Sequence, residues 1–165
     1  MFYTIGEGKD SETVKWVNKD LEKYLTAKEY VDTAVIPLQP FQLSSDSNMG
    51  EDAFQLEVLS IYAQEIEKEL SGRVLLTPTY FYLRTADLKE ELTRLNNWIQ
   101  DIQTQPFNEV FIFTFDNAWK KLEKDLAGNL LWFPGMKTGN IRTTEANTII
   151  RNQVEQLSEL IRSYW

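Results

Sequence analysis

Neither histidine nor cysteine occurs among the 165 residues of this chain, and the double absence removes whole classes of chemistry. Without cysteine there is no disulfide, no thiolate nucleophile and no thiol redox sensing. Without histidine the usual proton shuttle near neutral pH is missing, and with it the Ser-His-Asp and Cys-His catalytic groups. Structural zinc sites draw on the same two side chains and are excluded too. Also missing is an apolar run approaching the ~20 residues of a membrane helix. Met1 to Asp10 has no basic region and no apolar stretch of signal-peptide length, so a cytoplasmic location without a membrane span is expected. Positive charge is in deficit. Lys plus Arg total 17 against 25 Asp plus Glu, a net charge of −8, which repels a phosphate backbone unless a basic patch overrides it. The densest basic stretch, Lys120, Lys121 and Lys124, is interrupted by Glu123 and Asp125, the pattern of a solvated helix face. Nucleic acid is not an expected partner.

What is present is a globular composition, 42% hydrophobic with 13% aromatics, in a chain long enough to bury roughly two thirds of its unfolded surface in one core. A first helix is predicted from Asn18, acting as N-cap, to about Tyr30, burying Leu21, Tyr24 and Leu25. Thr33 to Ile36 reads as a strand closed by Pro37. Leu56, Leu59, Ala63, Ile66 and Leu70 form one helical stripe within Glu51 to Leu70, with Gly72 supplying the left-handed stop. A second strand, Val74 to Thr77, is closed by Pro78, and Tyr80 to Leu83 continues it after a bend. A third helix carries Leu88, Leu92, Leu95, Ile99 and Ile102 after a Thr85 cap. Val110 to Phe115 is apolar on both faces of its pleat, as expected of a strand covered by helices on both sides. A fourth helix is predicted from an Asp116 cap, carrying Trp119, Leu122 and Leu126 and ending at Gly128. Leu130 to Phe133 is the last strand, before Pro134. Thr143 or Thr144 caps a final helix with its stripe at Ala146, Ile150, Val154, Leu157 and Ile161.

A helix lies between each pair of strands, so the strands are expected to be parallel with right-handed crossovers. The fold class is therefore α/β: a three-layer sandwich around a four-stranded, mainly parallel sheet of order 2-1-3-4, flavodoxin- or Rossmann-like, preceded by an N-terminal helix. That order puts the topological switch between strands one and three, where such sheets bind ligands.

Candidate site residues follow from that placement. The connection Leu38 to Gly50 would face the turn Thr114-Phe115-Asp116-Asn117, and its stretch Ser44-Ser45-Asp46-Ser47-Asn48 supplies hydroxyls, an amide and a carboxylate. The alternatives are a flexible polar loop with a solvated Asp46, and Asp116 acting only as a helix cap. Gly135-Met136-Lys137-Thr138-Gly139 contains residues of a phosphate loop without its spacing. It reads as a turn in which Lys137, Thr138 and the backbone amides could hold an anion. Gly6-Glu7-Gly8-Lys9-Asp10-Ser11 starts like a dinucleotide fingerprint, but the third glycine is Ser11. The acidic residues of a phosphoreceiver, the phosphate loop of a flavodoxin and the paired aspartates of a haloacid-dehalogenase-type phosphatase are all absent after strand one. No catalytic set, metal site or cofactor is implied.

The run Lys15-Trp16 through Asp20-Leu21-Glu22-Lys23-Tyr24, then Ala27-Lys28-Glu29-Tyr30-Val31-Asp32-Thr33-Ala34-Val35-Ile36-Pro37-Leu38, resembles the YpiF-like proteins of Gram-positive bacteria, a domain family of unknown function. The resemblance runs from about Lys15 to the C-terminus and brings no catalytic residues. Genes of that family lie near components of the menaquinol:cytochrome c reductase, so it implies an accessory role. It also makes Met1 to Val14 an N-terminal extension, whose Gly6, Gly8, Asp10, Ser11 and Glu12 read as a mobile tail.

Two functions follow. The first is a non-enzymatic domain that binds another protein or a second copy of itself, favoured by the missing catalytic groups and by aromatics crowding the strand ends (Tyr80, Phe81, Tyr82, Phe115, Trp132 and Phe133). Trp165 at the terminus is expected to dock on this chain or on a second copy. The second is a small-molecule or nucleotide-binding enzyme or sensor using Asp46, Asp116 and Lys137 at the strand tips, with Mg²⁺ bridging carboxylate and phosphate.

Overall fold

In the computed structural model, residues 13–137, 139 and 141–165 are described. The Gly6 to Ser11 motif and most of the N-terminal extension lie outside the described residues.

Helix α1 (Asn18–Thr26) leads into strand β1 (Thr33–Phe41), followed by α2 (Asp46–Glu69), β2 (Val74–Leu76) and β3 (Tyr80–Leu83). Then come α3 (Leu88–Ile102), β4 (Glu109–Thr114), a 3-10 helix (Asn117–Asp125), β5 (Asn129–Trp132) and α4 (Thr144–Arg162). All the pairings are parallel, in the order β2-β1-β4-β5, with β3 beside β1 on the edge it shares with β2. The expected order 2-1-3-4 is thus present. Its second strand is broken at Pro78 into β2 and β3, which makes five strands from four.

The sheet divides the core into two layers. On one face Val35, Phe111 and Phe113 pack against α2 and α4 through Leu59, Ile66 and Leu157. On the other, Ala34, Ile36, Leu38 and Ile112 meet Leu95 and Ile99 of α3 and Trp119 of the 3-10 helix. Each fully buried large apolar side chain contributes roughly 1.5–3 kcal/mol, so burial of the stripes rather than helix propensity holds these elements. No helix among the described residues is long and apolar enough to cross a membrane.

Several elements depart from expectation. Strand β1 passes through both Pro37 and Pro40 instead of ending at the first. Odd-numbered residues of β1 face β2 and β3, since Thr77 N donates to Val35 O at 3.1 Å and Arg84 N to Phe41 O at 2.9 Å. Pairing with β2 ends at Val35 and pairing with β3 begins at Leu38, so Pro37 meets the gap between those strands, where no ladder acceptor awaits its missing N–H. Pro40 faces the β4 side, beyond the last pair there, Leu38 with Thr114.

The connection after β1 is not a long polar loop, because α2 already begins at Asp46. Gln42 closes the turn: Ser45 N donates to its Oε1 at 2.8 Å, and its Nε2 donates to Ser45 O at 3.2 Å. Asp87, not Thr85, caps α3, accepting from Lys89 N at 3.0 Å. At α1 the cap position is Val17, Leu25 is 62% exposed, and Asp20 turns inward to accept from Lys15 N at 3.0 Å. Thr143 caps α4 as expected, accepting from Ala146 N at 3.1 Å.

The predicted fourth α-helix is a 3-10 helix. Trp119 and Leu122, three apart, suit either period, and Leu126 becomes the residue that ends the 3-10 helix. The crossover, however, must run back along β4, about 20 Å for its six residues. Nine residues of 3-10 helix span about 18 Å, against about 14 Å for an α-helix. Gly128 does not serve as a left-handed stop: a Cβ there would meet Ile112 Cδ1 at 2.7 Å and Val110 O at 2.8 Å, so its role is close approach to β4.

Candidate functional site

A cleft of about 520 Å³ opens at the carboxyl ends of β1 and β4, the topological switch of the sheet. Gln39 and Pro40 of β1 form its floor, the first turns of α2 one wall, and Phe115, Asp116, Asn117, Trp132 and Pro134 the other. Arg84, directly after β3, stands at its edge.

Asp116 is held from two sides. Its Oδ1 accepts from Ala118 N at 3.0 Å as the cap of the 3-10 helix, and its Oδ2 accepts from the Tyr82 hydroxyl at 2.5 Å. Burial, and then the adjoining Asp116 carboxylate, push the Tyr82 phenol far above its usual range, so this group stays a donor. Asp52 is held by Arg84, whose Nε and Nη2 both donate to its carboxylate, and it accepts from Gln42 Nε2 at 3.3 Å. The carboxylate in turn raises the guanidinium above its ordinary value. Gln39 is only 2% exposed, and its Nε2 donates to Asp52 O at 3.2 Å. Gln55 reaches across from α2 to Met136 O at 2.6 Å. Gly135 permits this approach, with φ of +74° and no side chain to strike Gln55 Oε1 or the Phe115 ring.

Of the residues predicted from sequence, Asn48, Asp116 and Asn117 line the cleft. Thr114 is fully buried beneath it, its Oγ1 accepting from Asp116 N at 3.1 Å. Ser44, Ser45 and Asp46 lie outside the lining, in the turn before α2 and its first residue. Lys137 is exposed beyond the lining, and Thr138 lies outside the described residues. Sequence reasoning missed Gln39, Glu51, Asp52, Gln55 and Arg84. Asn48, Asp52 and Gln55 do carry a signal, since they recur at helical spacing along one side of α2. Arg84 carries none.

Among the described residues no group of three acids is placed to hold a metal ion. The cleft can therefore offer amide and carboxylate acceptors, one guanidinium already paired, and two aromatic walls. Phe115 is buttressed by Tyr62, edge-on at 5.4 Å, and the Trp132 indole N–H donates to Phe115 O at 3.3 Å.

The predicted aromatics divide between core and surface. Tyr80 and Tyr82 are buried, whereas Phe81 and Leu83 project from the opposite face of β3 and are exposed, as are Phe41 and Leu43. Phe41 pairs with Leu83 in the ladder, which makes these side chains neighbours. Trp165 docks on its own chain, donating to Thr33 Oγ1 at 2.9 Å beneath the Arg73 guanidinium.

Comparison with known proteins gives a match to a family model described as "Protein of unknown function (DUF2487)" over residues 22–165. The chain is also 25% identical over 152 residues to "Uncharacterized protein YpiF" of Bacillus subtilis (strain 168), covering 92% of this chain and 98% of that protein. No solved structure gives a match.

Proposed function

Starting from the premise that this chain belongs to the DUF2487 family, we propose that it is a non-enzymatic accessory domain that binds a small organic ligand in the switch cleft. The observation that carries this reading is the state of the cleft's carboxylates. Asp52 is forked by Arg84, and Asp116 is occupied by a cap and a phenol. General acid–base chemistry needs a positioned pair of groups free to exchange protons, and of the lining acids only Glu51 has no such partner among the described residues. A pocket of this size, largely preformed and bounded by aromatic rings with a few convergent polar groups, suits recognition.

The test is a thermal-shift and NMR screen of the full chain against amines, sugars, nucleotides and small acids. A rise in Tm together with a shift of the Trp132 indole N–H supports the reading, and the ligand should be recovered unchanged. A flat response across the screen overturns it, and turnover of any compound overturns its non-enzymatic part.

A second reading, self-association, draws on the exposed side chains of Phe41, Leu43, Phe81 and Leu83 at the same end of the sheet. These four are uncharged, so an apolar face there lets two acidic chains meet with least repulsion. Strand addition is disfavoured, because Arg94 Nη2 donates to Phe81 O at 3.2 Å and Ala86 N to Leu83 O at 2.9 Å, occupying outward carbonyls of the edge. Sedimentation velocity over a concentration series reads this directly, and a single monomer boundary throughout rejects it.

A further inference from the structure

We infer that the switch cleft selects an organic cation, a flat ring bearing a short ammonium arm. This rests on the ligand-binding reading above and adds the class of ligand.

The charges come first. Three carboxylates, Glu51, Asp52 and Asp116, line the cleft with one guanidinium, Arg84. Arg84 is spent on Asp52 through a two-pronged contact. Asp116 receives hydrogen bonds only from neutral donors, and Glu51 has no partner among the described residues. A phosphate or carboxylate ligand would meet an excess of carboxylates over cations in the lining, and a metal ion finds no group of three acids among the described residues.

A second observation, independent of the acids, concerns Gln39. It is 98% buried by its 2% exposure, it lines the cleft, and its amide N–H is given to Asp52 O. Among the described residues its Oε1 has no hydrogen-bond partner. A buried amide oxygen left open in this way calls for a donor from outside the chain. An ammonium brings three donors and no acceptor, which suits a lining of carboxylates and an amide oxygen.

The walls define the rest of the ligand. Phe115 and Trp132 offer aromatic surface to a flat apolar body. The Trp132 face already holds one ammonium, that of Lys120, at 3.4 Å from the ring centroid and outside the lining.

Tryptamine, indole-3-ethanol and indole-3-acetate share one ring and carry a positive, neutral and negative arm, so they isolate the charge. Each is titrated calorimetrically into the full chain at low salt, with the Trp132 indole N–H, assigned through Trp132→Phe, reporting the site. The amine is expected to bind at least about tenfold tighter than the alcohol, equivalent to about 1.4 kcal/mol, with no measurable binding of the acid. Glu51→Gln should weaken the amine severalfold while leaving Tm unchanged, since Glu51 is an exposed residue of α2. Equal affinities, tighter binding of the acid, or an amine affinity indifferent to Glu51→Gln overturns the inference and leaves the ligand-binding reading standing. If none of the three indoles binds but another compound in the wider screen does, the cation class alone falls. If nothing binds in either experiment, both fall.

Discussion

The two ends of the parallel sheet are finished in opposite ways. At the amino end the polar groups are used up within the chain. Arg73 donates to Asp32 through Nη2 at 2.7 Å and Nε at 3.3 Å, while its guanidinium lies 3.6 Å above the Trp165 ring centroid. Trp165 reaches Thr33 Oγ1, which itself donates to Asp32 Oδ1 at 3.1 Å, and Tyr164 meets Phe111 edge-on at 5.0 Å. At the carboxyl end the strands stop at different heights, β1 running past β4 to Phe41, and the uneven edge leaves a cleft lined by Gln39, Glu51, Asp52 and Asp116. A parallel sheet leaves unpaired backbone groups at both ends. Here the C-terminal residues close one of them, which leaves only the other free to receive a ligand.

The strongest way to break this comparison is to remove the lid at the amino end. Trp165→Ala should cost about 2–3 kcal/mol, somewhat below a fully buried tryptophan because Trp165 is 38% exposed. Chemical denaturation measures this, and ligand affinity at the far end should not change; a coupled loss would show that the two ends are not independent. Asp116→Ala at the open end should cost about 1–2 kcal/mol through the lost cap and the orphaned Tyr82 hydroxyl, and here stability and ligand binding should fall together.

The amino end has one misfit, and it sharpens the contrast through pH. Glu67 is fully buried. Its Oε1 accepts from Val14 N at 2.7 Å, and its Oε2 has no partner among the described residues. Burial raises its pKa above the ordinary 4.5, so the folded chain holds this proton more tightly than the unfolded one. Its contribution is therefore fully present below about pH 4.5 and is lost as pH rises through the elevated folded value. Glu67→Gln should escape that loss. Its stability relative to the parent should rise over this window and then level off, as Tm measured across pH will show; parallel curves would mean that the proton is not held.

The smallest effect is expected for Arg84→Ala. The pair is half-exposed on the arginine side, with 44% of its side chain accessible, and such pairs contribute about 1 kcal/mol or less. Its signature should be in binding: freeing Asp52 adds a negative charge to the cleft and should tighten an amine.

Much of the scaffold was legible because burial is recorded locally. The stripe Ala146, Ile150, Val154, Leu157 and Ile161 is buried throughout, and the run Val110 to Phe113 lies inside the sheet as its two-sided apolarity requires. The errors arose where a local rule met a non-local partner. Pro37 normally ends a strand, but a break in the neighbouring strand lies opposite it; Trp119 and Leu122 fit two helical periods, and the length of the crossover chose between them.

The recurrence of apolar side chains every two or every three to four residues was enough to specify helices between parallel strands, their order and the end of the sheet at which a cleft would lie. That pattern is set by the backbone repeat and repeats within each element, so a few neighbouring residues suffice to reveal it. The makeup of the cleft was decided only by tertiary structure. Gln39, Asp52, Arg84 and Asp116 come from four separate elements, and their meeting depends on strand register and on where each strand stops. Polar side chains that meet across separate elements leave no periodic trace of such long-range geometry.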